Sequence, residues 1–446
     1  MNRLIVLIGI LLIGSGLLCA SESTDAAKTY PYIRPEFSER FRIVYWDNAI
    51  SLSDAANAER AFTRHRTSAG LNLDVSPHLS FLVKLTNEFR LYSKPTQSEW
   101  EPNEIVFDQL FAKIINPFDL PMTVTIGRQN IILGEGFVIL EGHPLDGSRT
   151  IYFNAVRMDF TISKSSKLTA FYSKQRELDR ELPRINDQHQ YLTEQPEDAF
   201  CLYFTHTLKP LTLEHYYIYK KINNGALTDN RSDISTTGIR TFIPISKYVS
   251  ITSEFAYQWG NIIDSRLSIL SIGRHNKREA YAGYFYMTIK PRLMNKLVSF
   301  SPGTFYYSGD HQASSRWEGW EPVFGRWPKW SESYIYTQIN EMGVAYWTNI
   351  QSIFLKTSIE LPLNSQLIVD YHHLIAPEGG WHIFNNNKMI SGKSKNRGDL
   401  IIAQVKMKYS DHWSGHFLWE TFLPNRFYKS SADRYNWIRF EVMYTL

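Results

Sequence analysis

The chain has 446 residues, with 48 Lys and Arg against 44 Asp and Glu and a formal net charge of +4 at pH 7. So mild a charge, with no basic stripe carrying base-stacking aromatics, excludes a dedicated nucleic-acid binder. A 14% aromatic content with a mean hydropathy of -0.30 fits a soluble protein or a barrel that is apolar outside and polar inside.

The first residues, MNRLIVLIGILLIGSGLLCASES, set Arg3 before an apolar run from Leu4 to Ile13 and a cleavage site after Ala20, which is the pattern of a secretory signal. Leu18 stands where a lipobox at Cys19 needs a small residue, and the apolar run is short for an uncleaved anchor. Cleavage leaves Cys201 without a partner for an intramolecular disulfide. No later stretch approaches the ~18 apolar residues of a spanning helix, so a membrane location requires a barrel. The expected organisation is a signal peptide over 1–20, a short N-terminal periplasmic segment over 21–38 with no room for a folded plug, and one outer-membrane barrel domain over 39–446.

Period-2 alternation between turn residues predicts eighteen strands, at 39–48, 62–75, 79–93, 105–116, 122–133, 151–163, 166–178, 198–208, 211–222, 235–245, 249–261, 278–290, 295–308, 347–361, 365–376, 399–410, 413–423 and 435–446. Their connections alternate between tight turns, such as KSS at 164 and KP at 209, and long loops, such as 134–150 and 309–346. Outer-membrane barrels sort their loops in this way, short in the periplasm and long outside, and a soluble sandwich or propeller has no reason to. Within the strands Leu79, Phe81, Val83, Leu85, Phe89 and Leu91 share one face, while Lys84, Glu88 and Arg90 share the other. Val249, Ile251, Phe255, Tyr257 and Trp259 separate in the same way from Thr252, Glu254 and Gln258. The expected fold is an all-β transmembrane antiparallel barrel of about 18 strands.

The last predicted strand, YNWIRFEVMYTL, sends Ile438, Phe440 and Val442 outward and Arg439 and Glu441 inward. It is expected to close the sheet against the first strand, ERFRIVYWDN, and to present its alternating apolar end with Tyr444 to the outer-membrane insertion machinery.

MTVTIGRQNIILGEGFVI followed by SRTIYFNAVRMDF resembles the alginate export family of outer-membrane barrels, as do EFAYQWGN, FYYSGD at 305–310, WEPVFGRWPKW and WTNI at 347–350, in that order. The resemblance spans most of residues 60–446 and implies an eighteen-stranded barrel passing an anionic polysaccharide through an arginine-lined pore. Asn154 stands where the family usually has an aspartate, and GDLIIAQV lacks the carboxylates the family tends to place late, so the fold transfers better than the substrate.

Strand parity places Arg64, Arg66, Lys84, Glu88, Arg90, Arg157 and Asp159 in the lumen, followed by Glu214, Lys220, Arg240, Glu254, Lys356, Asp370, Lys406, Lys408, Glu420, Arg439 and Glu441. The modest cationic surplus predicts an anion preference, with the carboxylates keeping a polyanion from sticking. The GRQ resemblance adds Arg128 and Gln129 at the pore mouth, although parity from Val124 and Ile126 points Arg128 outward unless a bulge intervenes. In SRWEGWEPVFGRWPKW the indoles of Trp317, Trp320, Trp327 and Trp330 offer flat faces for sugar rings beside Arg316, Arg326 and Lys329. Trp317, Trp320, Trp327 and Arg326, with Asp310, are the expected loop contacts to substrate, against the blander alternative that these aromatics pack an infolded loop or join the interfacial belt. His372 and His373 face opposite ways and cannot share one metal ion, and Asp370 with His372 lacks a motif that supplies a nucleophile.

The sequence therefore predicts a monomeric, non-enzymatic channel in the outer membrane of a Gram-negative bacterium, without metal or other cofactor. It conducts an anionic or hydrophilic solute, expected to be a poly- or oligosaccharide, amid outer-membrane lipid and lipopolysaccharide. A barrel enzyme acting on lipid or glycan, and a sugar-binding adhesion barrel, are the alternatives.

Overall fold

The computed structural model describes residues 29–95, 99–100, 104–141, 151–193, 195–226, 230–264, 277–293, 296–311, 313–326, 329–334, 347–379, 389–391 and 394–446. Eighteen long strands form the wall. They are β1 (Tyr32–Asp47), β2 (Arg60–Ser76), β3 (Leu79–Lys94), β4 (Ile105–Ile115), β5 (Met122–Gln129), β6 (Phe153–Ser163), β7 (Ser166–Gln175), β8 (Glu197–Leu208) and β9 (Leu211–Ile222), continued by β10 (Asn230–Pro244), β11 (Val249–Asp264), β12 (Lys277–Ile289), β13 (Lys296–Tyr307), β14 (Ile350–Leu361), β15 (Ser365–Ile375), β16 (Asn396–Lys408), β17 (Trp413–Pro424) and β18 (Tyr435–Thr445). Each pairs antiparallel with its sequence neighbours, and β1 pairs with β18 from Ser38↔Thr445 to Asp47↔Asn436, closing the sheet. Closure leaves every strand paired on both sides, which hydrocarbon demands of any backbone that crosses it.

Alternation decides the two faces. Ile43, Leu71, Phe81, Phe255, Ile353 and Phe417 lie exposed on the outside, whereas Arg64, Glu254, Ser352 and Glu420 are buried inside. Tyr172, Tyr219, Trp259, Tyr281 and Tyr371 ring the outside toward the long loops, and Tyr248, Tyr409 and Trp413 toward the short turns, marking two interfacial girdles.

The predicted strand set stands, with local corrections. β1 begins at Tyr32, so the last seven residues of the predicted 21–38 segment belong to the strand. Residues 32–37, including Pro35, pair with β2 alone. A proline is tolerated on such a free edge. The predicted strand 122–133 stops as wall at Gln129. Ile131–Ile132 instead turn into the barrel and pair with Leu140–Glu141.

Among the described residues, two loop segments thus lie inside the lumen. In the first, 130–141, Ile131, Phe137, Val138 and Ile139 are buried; in the second, the described parts of 308–334, so are Trp320, Val323, Phe324 and Tyr334. They meet each other: Phe324 N–H donates to the Val138 carbonyl at 3.0 Å and Leu140 N–H to the Phe324 carbonyl at 3.0 Å. Aromatic stacking fixes them to the wall. Phe137 lies 5.3 Å from Tyr307 and Trp330 lies 4.7 Å from Phe305, centroid to centroid. Burying one Phe side chain stabilises by about 1.5–3 kcal/mol, while a buried ion pair nets little against its desolvation. Aromatic burial therefore drives the infolding, and the ion pairs described next set its register.

Candidate functional site: the lumenal lining and its constriction

The wall of β18, β1, β2 and β3 is cationic. The register puts Arg40 opposite Arg66 and Arg42 opposite Arg64, like charges side by side. Glu88 on β3 makes this tolerable by accepting from Arg40 at 3.1 Å, Arg64 at 2.7 Å and Arg66 at 3.1 Å. Arg66 also reaches Asp108 at 3.3 Å. Among the described residues, these three guanidiniums share the two carboxylates Glu88 and Asp108. Alongside it Arg42 pairs with Glu441, and Arg439 donates to His416 at 2.9 Å and to Glu332 at 2.8 Å. Arg90 packs over the Phe62 ring at 4.9 Å.

Arg128 is 1% exposed, gripping Asp179 of the 176–193 loop through two bonds of 3.0 and 2.7 Å, with its guanidinium 3.6 Å from the Tyr152 ring centre. Gly127 precedes it with a φ of +126° that is open to glycine, and a Cβ there would sit 2.3 Å from the Leu110 carbonyl oxygen. Asn154, at the position where the resemblance expects an aspartate, accepts from Arg128 Nε at 3.1 Å.

Opposite the arginines, β8–β12 carry a tyrosine–carboxylate network. Glu254 accepts from Tyr216 at 2.9 Å and Tyr284 at 3.0 Å, and Glu214 from Tyr203 at 2.8 Å and Arg240 at 2.7 Å. This network receives the first infolded segment, because Glu135 bridges Arg240 at 3.1 Å, Tyr286 at 2.7 Å and Lys329 at 3.0 Å. Burial alone would raise the Glu135 carboxyl, but Lys329, Tyr286 and Arg240 outweigh it and hold it at about 2. Glu141 is the reverse case. Burial raises its carboxyl to about 7, helped by Glu197 and opposed by Arg326 and Lys220.

The second segment is latched at several points. Lys220 donates to the Val323 carbonyl at 2.7 Å, Gln258 to the Glu321 carbonyl at 2.7 Å, and Ser331 Oγ to Glu420 at 2.6 Å. These contacts overturn the expectation of a solute-facing tryptophan loop. Trp317 is buried at the rim, where its backbone pairs with β12 through Glu279 N–H at 2.9 Å. Trp320 is buried near Phe137 and Tyr307. Arg326 is spent on Glu197 and Glu141, and Asp310 is buried and accepts from Glu318 N–H at 3.2 Å. Trp327 lies outside the described residues.

Toward the short turns the lumen is more open. Side-chain exposure reaches 23% at Lys84, 24% at Arg157, 35% at Asp159 and 51% at Lys356. There Arg157 pairs with Asp159 at 2.8 Å and Lys356 with Asp370 at 3.3 Å. A cavity of about 630 Å³ lies at this end, lined by Glu360, Gln366, Lys406, Lys408, His416 and Glu441 among others. His372 and His373 do face opposite ways, toward Ser352 at 3.0 Å inside and Asp399 at 2.8 Å outside. Ser352 is a hydroxyl beside His372 that sequence reading missed, since it sits on the neighbouring strand; the imidazole is buried between Phe305 and Phe354, and Asp370 is engaged by Lys356. Cys201 is free and fully buried.

Parity had assigned Arg64, Arg66, Lys84, Glu88, Arg90, Arg157, Asp159, Arg240, Glu254, Lys356 and Arg439 to the lumen, and the structure brings the first strands' arginines onto one wall and Glu254 onto the other. Arg40 and Arg42 were missed although Phe41 and Ile43 alternate with them in the same strand. Asp179, Glu135, Glu141, Glu321 and Glu332 were also missed, and nothing in a loop's sequence reports that it enters the lumen.

A closed eighteen-stranded barrel with a lipid-facing apolar belt and a charged, polar interior is an outer-membrane protein of the porin fold. No family model matches the chain, and no curated protein does either. Among solved structures it is similar to Acinetobacter baumannii OccAB2, with a TM-score of 0.57 and 12% identity over 93% of this chain and 98% of that one. It is also similar to Pseudomonas aeruginosa OpdK solved with vanillate, with a TM-score of 0.56 and 9% identity over 92% of this chain and 98% of the other. P. aeruginosa OccK5 (OpdH) gives 0.52 and 14% over 92% and 98%. These likenesses support the outer-membrane barrel and not the alginate export family in particular.

Proposed function

We propose that this protein is a passive outer-membrane channel for small anionic solutes, acting without catalysis. The observation that carries the reading is the wall where Arg40, Arg42, Arg64 and Arg66 cluster on two adjacent strands, beside a lumen narrowed by packed loop segments. Clustered arginines in a low-dielectric passage favour anions and lower the barrier to their transit. The tyrosine–carboxylate wall opposite offers hydrogen bonds while keeping an anion from binding too tightly to leave. Narrowing by aromatic-packed segments favours a small solute over a polysaccharide chain, so alginate-like export is the less supported half of the earlier expectation. The likeness to OpdK, solved with the carboxylate vanillate, agrees with this choice.

Planar-bilayer recording under a salt gradient tests the reading. Channel steps with an anion-selective reversal potential are expected, and Arg64→Gln with Arg66→Gln should move that potential toward zero. Benzoate should interrupt the current more than an oligouronate does. Absence of steps, or cation selectivity in the unaltered protein, sinks the proposal.

A further inference from the structure

Toward the long loops, the outward face of β7–β12 carries one register row of polar side chains. Lys174 lies opposite Asp198, Asp198 opposite Lys221, Lys221 opposite Asp233, Asp233 opposite Asn261 and Asn261 opposite Lys277. Strand tilt lifts the row as it goes round: Lys174, Lys221 and Lys277 lie eight, ten and twelve residues from the short-turn ends of β7, β9 and β12. Neutral groups donate to the two aspartates. Asp198 accepts from Asn223 Nδ2 at 2.9 Å and Tyr172 Oη at 3.4 Å, and Asp233 from Asn261 Nδ2 at 2.9 Å. Glu279, two positions below Lys277, accepts from Tyr257 at 3.0 Å and pairs with Arg316. The three lysines are exposed and, among the described residues, make no ion pair within the chain.

Below this row the lipid face is hollow. Thr241, Ser253 and Gly283 leave a groove of about 320 Å³ between the exposed Ile239, Phe255 and Phe285. Gly283 keeps it open, and a Cβ there would sit 2.6 Å from the Glu254 carbonyl oxygen. Thr241 and Ser253 satisfy each other's hydroxyls at 2.7 Å, so the groove offers lipid an apolar lining. From Lys277 to Gly283 is six residues. That is about 20 Å of strand and about 14 Å along the membrane normal at a tilt of about 45°, close to one leaflet's share of a core about 30 Å thick.

We propose that this face holds one molecule of lipopolysaccharide, the phosphorylated glycolipid of the outer leaflet, with its phosphates on Lys221 and Lys277 and an acyl chain in the groove. Phosphates reach these lysines without breaking an existing ion pair, and basic side chains at a membrane surface bind anionic head groups. Three strand spacings of about 4.8 Å part β9 from β12, about 14 Å in all. Two phosphates at opposite ends of a disaccharide bridge such a span, whereas the single phosphate of a glycerophospholipid does not. The exposed rings of Trp259 and Tyr281 lie between the lysines and the groove, at the level where amphipathic rings favour the interface.

Titration of the refolded barrel in detergent with deep-rough lipopolysaccharide, read by native mass spectrometry, tests this. One molecule per barrel is expected. Lys221→Gln with Lys277→Gln should weaken binding about thirtyfold, the loss of two surface cations. Ser253→Leu should weaken it by filling the groove, and Lys408→Gln, which removes a cation paired with Asp411 at the short-turn end, should leave it unchanged. Heat-modifiable migration checks that each variant is folded. No one-to-one complex, equal binding of phosphatidylglycerol, or binding that either the lysine pair or Ser253→Leu leaves unchanged overturns the proposal.

Discussion

Glu135 and Glu141 stand six positions apart on the same infolded segment, and their surroundings drive them in opposite directions. Glu141 is raised from 4.5 to about 7, so its protonated form suits the packed segment, and its contribution is complete below 4.5 and lost as pH rises through 7. Glu135 is lowered from 4.5 to about 2, so its contribution is complete above 4.5 and is lost as pH falls through 2. Of these two, Glu141 is the one that titrates near neutrality. Open-channel current noise in single-channel records should therefore increase as pH is raised through 7, as the 130–141 segment loosens. Glu141→Gln, which keeps the shape and removes the proton, should flatten that dependence; an unchanged profile would place the titrating group elsewhere.

At the scale of the element, one glycine sets how closely β5 approaches β4. Gly127 has no side chain where the Leu110 carbonyl oxygen would lie 2.3 Å from a Cβ, and the next residue, Arg128, holds Asp179. Gly127→Val imposes a side chain where the backbone has φ of +126° and a carbonyl oxygen occupies the Cβ site. Strain of this kind costs about 1–3 kcal/mol, read as a lower urea midpoint of unfolding in lipid, and it should free the loop bearing Asp179 from Arg128. The longer infolded segment acts differently, because aromatic packing and hydrogen bonds to the wall hold it together. Replacing 309–334 with a short polar linker between β13 and β14 should leave the barrel folded and raise unitary conductance several-fold. An unchanged conductance would mean that this segment does not bound the conducting path.

Across the whole molecule, closure and lipid exposure set the energetics. β18 meets β1 over ten paired positions, with Arg439 and Glu441 inside and Phe440 outside. Phe440→Arg reverses the face of one charge and should destabilise the inserted barrel by about 2–4 kcal/mol in equilibrium unfolding, as a cation near the bilayer midplane does. A neutral outcome would mean that the seam lies outside the hydrocarbon layer.

What the sequence determined by itself was the wall. Strand period, strand number, the parity of short and long connections, and the inward charges of Arg64, Glu88, Arg240, Glu254 and Arg439 follow from local alternation, because one face of each strand must satisfy lipid. Only the tertiary structure decided what fills the lumen. Whether 130–141 and 308–334 extend into water or fold inward depends on aromatic partners such as Tyr307, Phe305 and Phe422, contributed by strands remote in sequence or facing them across the barrel. Trp317 and Trp320, read as solute contacts, became packing for that reason.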